Sequence, residues 1–152
     1  MGVRSIKIKI ELVDSSEEES LYLKIQNMDE TVTKLVNTLK VRESALFGQK
    51  DEKIYRIGLR DVYYFEALEK KVFLYSRKEV FEMKEKLYQI EEKYDKLNFV
   101  RISKSMIVNI DKIEAIYPVL SGRFELKLDN GEVLRISRYY VSGLKRKLGM
   151  EV

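Results

Sequence analysis

"RFELKLDNGEVLRISR", residues 123–138, reads as two short strands around a tight turn. Phe124, Leu126 and Leu128 alternate with Glu125 and Lys127, and beyond the turn Leu134 and Ile136 alternate with Arg135. That period of two puts apolar residues on one face and polar residues on the other. Asp129-Asn130-Gly131 joins the runs, and Asn-Gly tolerates the positive φ angles of a tight hairpin turn. With Leu134 and Ile136 inward, Arg135 and Ser137 face outward and Arg138 stands at the strand exit.

Working outward, the same signals recur. "DVYYFEALEKKVFLYSR" (61–77) is two aromatic strands around a turn at Glu69-Lys70-Lys71. "KIYRI", "EVFEM", "NFVRI", "SMIVNI" and "IEAIYPVL" are further short strands. "KEKLYQIEEKYD" changes period, with Leu87, Ile90 and Tyr94 at the spacing of a surface helix. "YYVSGLKRKLG" is a short helix with a basic face. Short strands, tight turns and few helices predict a β-dominated domain over residues 48–149.

The first third reads differently. "IKIKIEL" (6–12) alternates apolar and charged residues, "SSEEE" is a polar turn, and "LYLKI" (21–25) is a second candidate strand. Val32, Leu35, Val36 and Leu39 then fall at helical spacing behind Asp29, a suitable N-cap. Residues 1–46 are therefore expected to form a strand–strand–helix appendage, too small to be stable alone. It either caps the β domain (47–152) or serves dimerisation or partner docking.

Composition narrows the chemistry. The 152 residues hold no cysteine and no histidine, which excludes disulfides, thiolate metal sites and the commonest general base. No glycine-rich phosphate loop, nucleophile elbow or metal-ligand spacing is present, so neither an enzyme nor a bound metal or cofactor is expected. Acidic runs such as Glu17–Glu19 and Glu91-Glu92 read as solvated surface. No apolar run reaches the length of a membrane span and no signal peptide is visible, so the expectation is a soluble cytoplasmic protein.

Charge is uneven. From Lys96 onward eleven Lys and Arg face six Asp and Glu, while the preceding residues are nearly balanced. A basic half favours an acidic partner, nucleic acid or an anionic surface. Within it "RISK" (101–104) echoes "RISR" (135–138): Ile102 faces inward, Arg101 and Ser103 face outward as Arg135 and Ser137 do, and Lys104, like Arg138, stands at the strand exit. Such cations can reach phosphates or base edges. Tyr63, Tyr64, Phe65, Phe73 and Tyr75 offer a second possibility, a strand platform for unpaired bases. Their alternative role is packing in a β core.

The stretch "FVRISKSMIVNIDKIEAIYPVLSGRFELKLDNGEVLRISRYYVSGLKRKLG" (99–149) resembles the second half of a LytTR DNA-binding domain, and residues 61–94 resemble its first half. The ordered features are F-x-R-x-x-basic-S-x-I-V-N, I-x-x-I, S-G-R-F-E-L, N-G and S-R-x-Y-V-x-x-L-K. The resemblance implies an elongated fold of small layered sheets in a bacterial transcription regulator. Loops rather than a recognition helix would enter successive major grooves of double-stranded DNA. By the same resemblance, DNA-contacting residues are expected at the turn Lys70 and Lys71, at Ser103, Lys104 and Ser105, and at Ser137 and Arg138 with Tyr139 adjacent. Outward cations such as Lys145 are expected to neutralise phosphates. The resemblance further implies a homodimer on paired direct repeats and a small membrane protein as a candidate regulatory partner. Many members of that family carry a receiver domain in front, but residues 1–46 are too short for one, so a stand-alone regulator is expected.

Overall fold

In the computed structural model the described residues are 7–43 and 45–150. Their architecture is mostly antiparallel β with three short helices. The first helix, α1 (Glu30–Glu43), starts where expected, the Val32 backbone N–H donating to Asp29 Oδ1 at 2.9 Å. Ten strands follow: β1 (Ala45–Lys50), β2 (Lys53–Gly58), β3 (Tyr64–Leu68), β4 (Lys71–Tyr75), β5 (Val80–Met83), β6 (Phe99–Arg101), β7 (Met106–Asn109), β8 (Ile113–Val119), β9 (Arg123–Leu128) and β10 (Val133–Ile136). Helix α2 (Leu87–Tyr94) lies between β5 and β6, and α3 (Arg138–Lys147) ends the domain.

Seven strands form one sheet in the order β2-β1-β5-β4-β3-β7-β6, and three form a second in the order β10-β9-β8. The larger sheet packs against other layers on both faces, the second face mainly over β3, β6 and β7. One face carries Phe65, Leu74, Phe81 and Ile107 against Leu87, Ile90 and Tyr94 of α2. The other carries Tyr64 and Val108 against Leu126, Leu128, Leu134 and Ile136 of the small sheet and Leu144 of α3. Helix, sheet and sheet-plus-helix are therefore stacked layers, each burying one apolar face. Neighbours Phe65 and Tyr64, or Ile107 and Val108, enter opposite cores because successive strand side chains alternate. Asn109 is a buried polar residue; its Nδ2 donates to the Val62 carbonyl at 2.8 Å, and its Oδ1 accepts from the Asp111 backbone at 3.0 Å.

Two expectations need correction. Residues 7–29 contain neither strand nor helix, so the strands expected at 6–12 and 21–25 are not formed within the chain; residue 6 lies outside the described residues. Asp14 organises a polar turn through Ser16 and Glu17, but the flanks form no ladder. A strand needs a neighbour for its backbone groups and a core for its apolar row. Ile8 and Ile10 find neither and are each 82% exposed. Helix α1, in contrast, docks on the β domain: Val32 is buried and Asn37 Nδ2 donates to the Lys96 carbonyl at 3.1 Å.

Strand β1 was not anticipated. Its inward residues are Leu46 and Gly48, so no run of apolar side chains announces it. Gly48 is required there: a Cβ would stand 2.5 Å from Cβ of Phe81.

Candidate nucleic-acid interface

Three chain segments converge at one end of the layered domain. The first is the β3–β4 turn. Leu68 pairs with Lys71, and the two residues between them, Glu69 and Lys70, both have positive φ (49° and 69°). Lys71, expected in the turn, is the first residue of β4, and its Nζ pairs with Glu82 at 3.0 Å. Lys70 is left exposed at the tip.

The second segment is the β6–β7 connection. Ile102 is completely buried and anchors it. The Ser105 N–H donates to Ser103 Oγ at 3.2 Å, and the two hydroxyls lie 3.3 Å apart. Arg101, expected to face outward, turns inward instead. Its Nε forms an ion pair with Glu91 of α2 at 2.8 Å, and its Nη1 donates to the Lys104 carbonyl. A guanidinium has enough donors to serve both acceptors, so it fixes the loop while the Lys104 side chain stays exposed. The loop lies beside the first turn because the Ala67 N–H donates to the Ser105 carbonyl at 2.8 Å.

The third segment runs from β10 into α3. The Ser137 N–H donates to the Ile102 carbonyl at 2.8 Å. This bond puts the "RISK" and "RISR" exits side by side. Arg138 is exposed, with its Nη2 donating to the Ser121 carbonyl at 2.8 Å. Tyr139 is 83% exposed and meets Tyr140 edge-on, centroids 5.0 Å apart. Lys145 lies further along α3, its Nζ 4.7 Å from the centroid of Phe124.

Lys70, Ser103, Lys104, Ser105, Ser137, Arg138 and Tyr139 are thus gathered at one end. Lys71 is paired with the Glu82 carboxylate, and Lys145 stands behind on the helix. Two cations not anticipated as part of this surface join it. Arg123 and Arg135, both exposed, line one groove with Ser103, Ser137 and Arg138. Arg135 pairs with Glu125 at 3.8 Å. Its outward direction was legible from strand parity, but the place of Arg123 depends on the β8–β9 turn, where Ser121 and Gly122 have φ of 70° and 69°.

A nearby lysine has another task. Lys147 Nζ donates to the carbonyls of Asp95 and Phe99, tying α3 to α2 and β6. Burial lowers its pKa, opposed by the charges of Asp95 and Glu91.

The aromatic residues lie in the wrong place for base stacking. Tyr63, Tyr64 and Phe65 are buried, Phe73 and Tyr75 are half-buried, and Tyr64 and Tyr75 stack on each other at 4.3 Å. Burial raises the pKa of Tyr64 and Tyr75, as expected for neutral phenols in a core. No cluster of metal-ligating side chains occurs among the described residues. None of the described helices is long and apolar enough to cross a membrane.

Comparison with known proteins identifies the fold and the family. The family model of the LytTr DNA-binding domain matches residues 52–149. A solved LytTr DNA-binding domain from Bacillus cereus has the same fold, with a TM-score of 0.67 and 31% identity, covering 70% of this chain and 98% of that one. An uncharacterized HTH-type transcriptional regulator of Staphylococcus aureus is 29% identical over 94% of this chain and 99% of its own. The sensory transduction protein LytT of Enterococcus faecalis is 29% identical over 72% of this chain, which spans only 45% of that relative. The chain belongs to the LytTR family of DNA-binding domains.

Proposed function

We propose that this protein is a sequence-specific regulator of transcription that reads duplex DNA with the end of its β domain. The observation that carries the reading is the Ser137–Ile102 backbone bond, which joins two cation-bearing strand exits, with the β3–β4 turn alongside. Lys70, Lys104 and Arg138 reach base edges in successive major grooves, while Ser103, Ser105, Ser137, Tyr139 and Lys145 contact the backbone. An arginine can grip guanine O6 and N7 at once, and only the major groove presents a distinct pattern for each base pair. Lys71 assists through charge while it remains paired to Glu82. Two copies bound to paired direct repeats double the reading surface. Acting on chromosomal DNA places the protein in the cytoplasm.

The burial of Tyr63, Tyr64 and Phe65 favours duplex over single-stranded DNA or RNA, since a stacking platform needs exposed rings. Selection of bound sequences from a random duplex pool tests the reading. A recovered motif, lost with Arg138→Ala and Lys104→Ala, supports it; recovery of no motif overturns it.

A further inference from the structure

We infer that residues 7–13 are a self-association strand, pairing antiparallel with the same residues of a second copy in a register centred on Ile10. The inference deepens the homodimer part of the proposed function and is independent of how the loops read DNA.

Lys7-Ile8-Lys9-Ile10-Glu11-Leu12-Val13 has the alternation of a half-buried strand. Yet Ile8 and Ile10 are each 82% exposed and Leu12 is 93% exposed. No ladder partner is present for this segment among the described residues. Such a strand satisfies its backbone groups by pairing with another strand, and a two-fold axis makes its own copy the simplest partner.

The sequence selects the register. In an antiparallel pair, residues directly opposite one another share a face. Centring on Ile10 sets Ile10 against Ile10 and Ile8 against Leu12 on one face. On the other it sets Lys9 against Glu11, twice by symmetry. Registers centred on Ile8, Lys9 or Glu11 each place like charges opposite one another, which is destabilising. Shifting by a single residue mixes the apolar and charged faces. The intrachain alternative is poorer: aligning Ile8, Ile10 and Leu12 with Ile25, Leu23 and Leu21 sets Lys9 opposite Lys24. Self-pairing centred on Ile10 is therefore the register that matches the Ile8, Ile10 and Leu12 row and the Lys9–Glu11 charges together, leaving Lys7 opposite Val13 at the ends.

The native chain has no cysteine, so single introduced thiols report the pairing directly. A disulfide needs Cα atoms about 4.4–6.8 Å apart, as in directly opposed strand residues. In the full chain, oxidised Ile10→Cys should cross-link to a dimer. Ile8→Cys alone should not, whereas Ile8→Cys combined with Leu12→Cys should. By sedimentation, wild type should dimerise and Ile10→Lys should be monomeric. Lys9→Glu should raise the dimer Kd by roughly tenfold, since it replaces two attractive pairs with two repulsive ones. Adding Glu11→Lys to Lys9→Glu should restore the wild-type Kd. These positions are exposed, so far-UV circular dichroism should show an intact β domain in every variant.

A monomeric wild type, a dimer indifferent to Ile10→Lys, equal cross-linking at positions 8 and 10, or capture of the segment by the β2 edge would each overturn the inference. Binding to a single DNA half-site, measured on Ile10→Lys, scores the loop reading separately. A dimer without DNA binding, or a monomer that binds specifically, separates failure of one idea from failure of the other.

Discussion

The backbone N–H of Ser137 donates to the carbonyl of Ile102 across 2.8 Å, joining the exits of β10 and β6. Each belongs to a separate sheet, and each is followed by an exposed cation. Ile136 and Ile102 are buried just inside, so the end of the core itself sets the spacing of Lys104 and Arg138. In the proposed reading, these rigid strand ends present exposed side chains to DNA without a recognition helix.

Arg138 and Lys145 should fail differently. Arg138→Ala should cost about 1–3 kcal/mol on the preferred duplex and relax preference at one base pair. Lys145→Ala should weaken all duplexes alike and flatten the salt dependence by about one unit of slope. Titrations against matched and mismatched duplexes at several salt concentrations separate the two.

Lys147 should behave unlike Lys145, although both are lysines on α3. Its ammonium donates to two backbone carbonyls, Asp95 and Phe99. Hydrogen bonds involving a charged group contribute about 1.5–3 kcal/mol. Urea unfolding should show Lys147→Ala destabilised by about that amount and Lys145→Ala by less.

Gly48→Ala should destabilise the domain. The added methyl meets Phe81 at 2.5 Å on the strand beside β1, and overpacking a tight core costs about 1–3 kcal/mol. The midpoint of thermal or urea unfolding should fall, whereas Gly143→Ala, with open space at the same atom, should not lower it.

Stability should fall above pH 10. Burial raises the phenols of Tyr63, Tyr64 and Tyr75 above their ordinary 10.0, and burial with the charge of Glu85 pushes Tyr94 up to about 12. Above pH 10 the unfolded chain releases phenolic protons that the fold retains, so the stabilisation is present below that pH and declines as pH rises. Lys147 acts in the opposite sense as a single group. Urea midpoints should therefore drop between pH 9.5 and 11.5, and Tyr94→Phe should reduce the drop.

Most of the β domain was legible because its strands bury alternate side chains. Asn130-Gly131 marked the β9–β10 hairpin, and Leu87, Ile90 and Tyr94 marked α2. Strand β1 escaped because Gly48 occupies an inward position, where pattern reading looks for an apolar side chain. The Glu69-Lys70 turn was placed one residue long because neither residue is the Gly or Asn that positive φ favours. Arg101 was misjudged for another reason. Strand parity pointed it outward, but Glu91 on α2 and the Lys104 carbonyl draw its guanidinium into the fold. Likewise, 6–12 and 21–25 carry strand periodicity, but periodicity does not itself supply a neighbouring strand, and residues 7–29 form no ladder.

The HTH-type label of the Staphylococcus relative does not describe the arrangement here. The three helices are separated along the chain by strands, and the gathered cations sit mainly on turns and strand exits.

The most direct test is a competition titration with the selected duplex, comparing wild type with Lys104→Ala/Arg138→Ala. Wild type should be displaced by that duplex far more readily than by scrambled duplex or by either single strand. The double variant should keep its fold and lose this preference, retaining only salt-sensitive, sequence-independent binding. Equal preference in the double variant, or stronger competition by unpaired strands, would contradict reading through the joined strand exits.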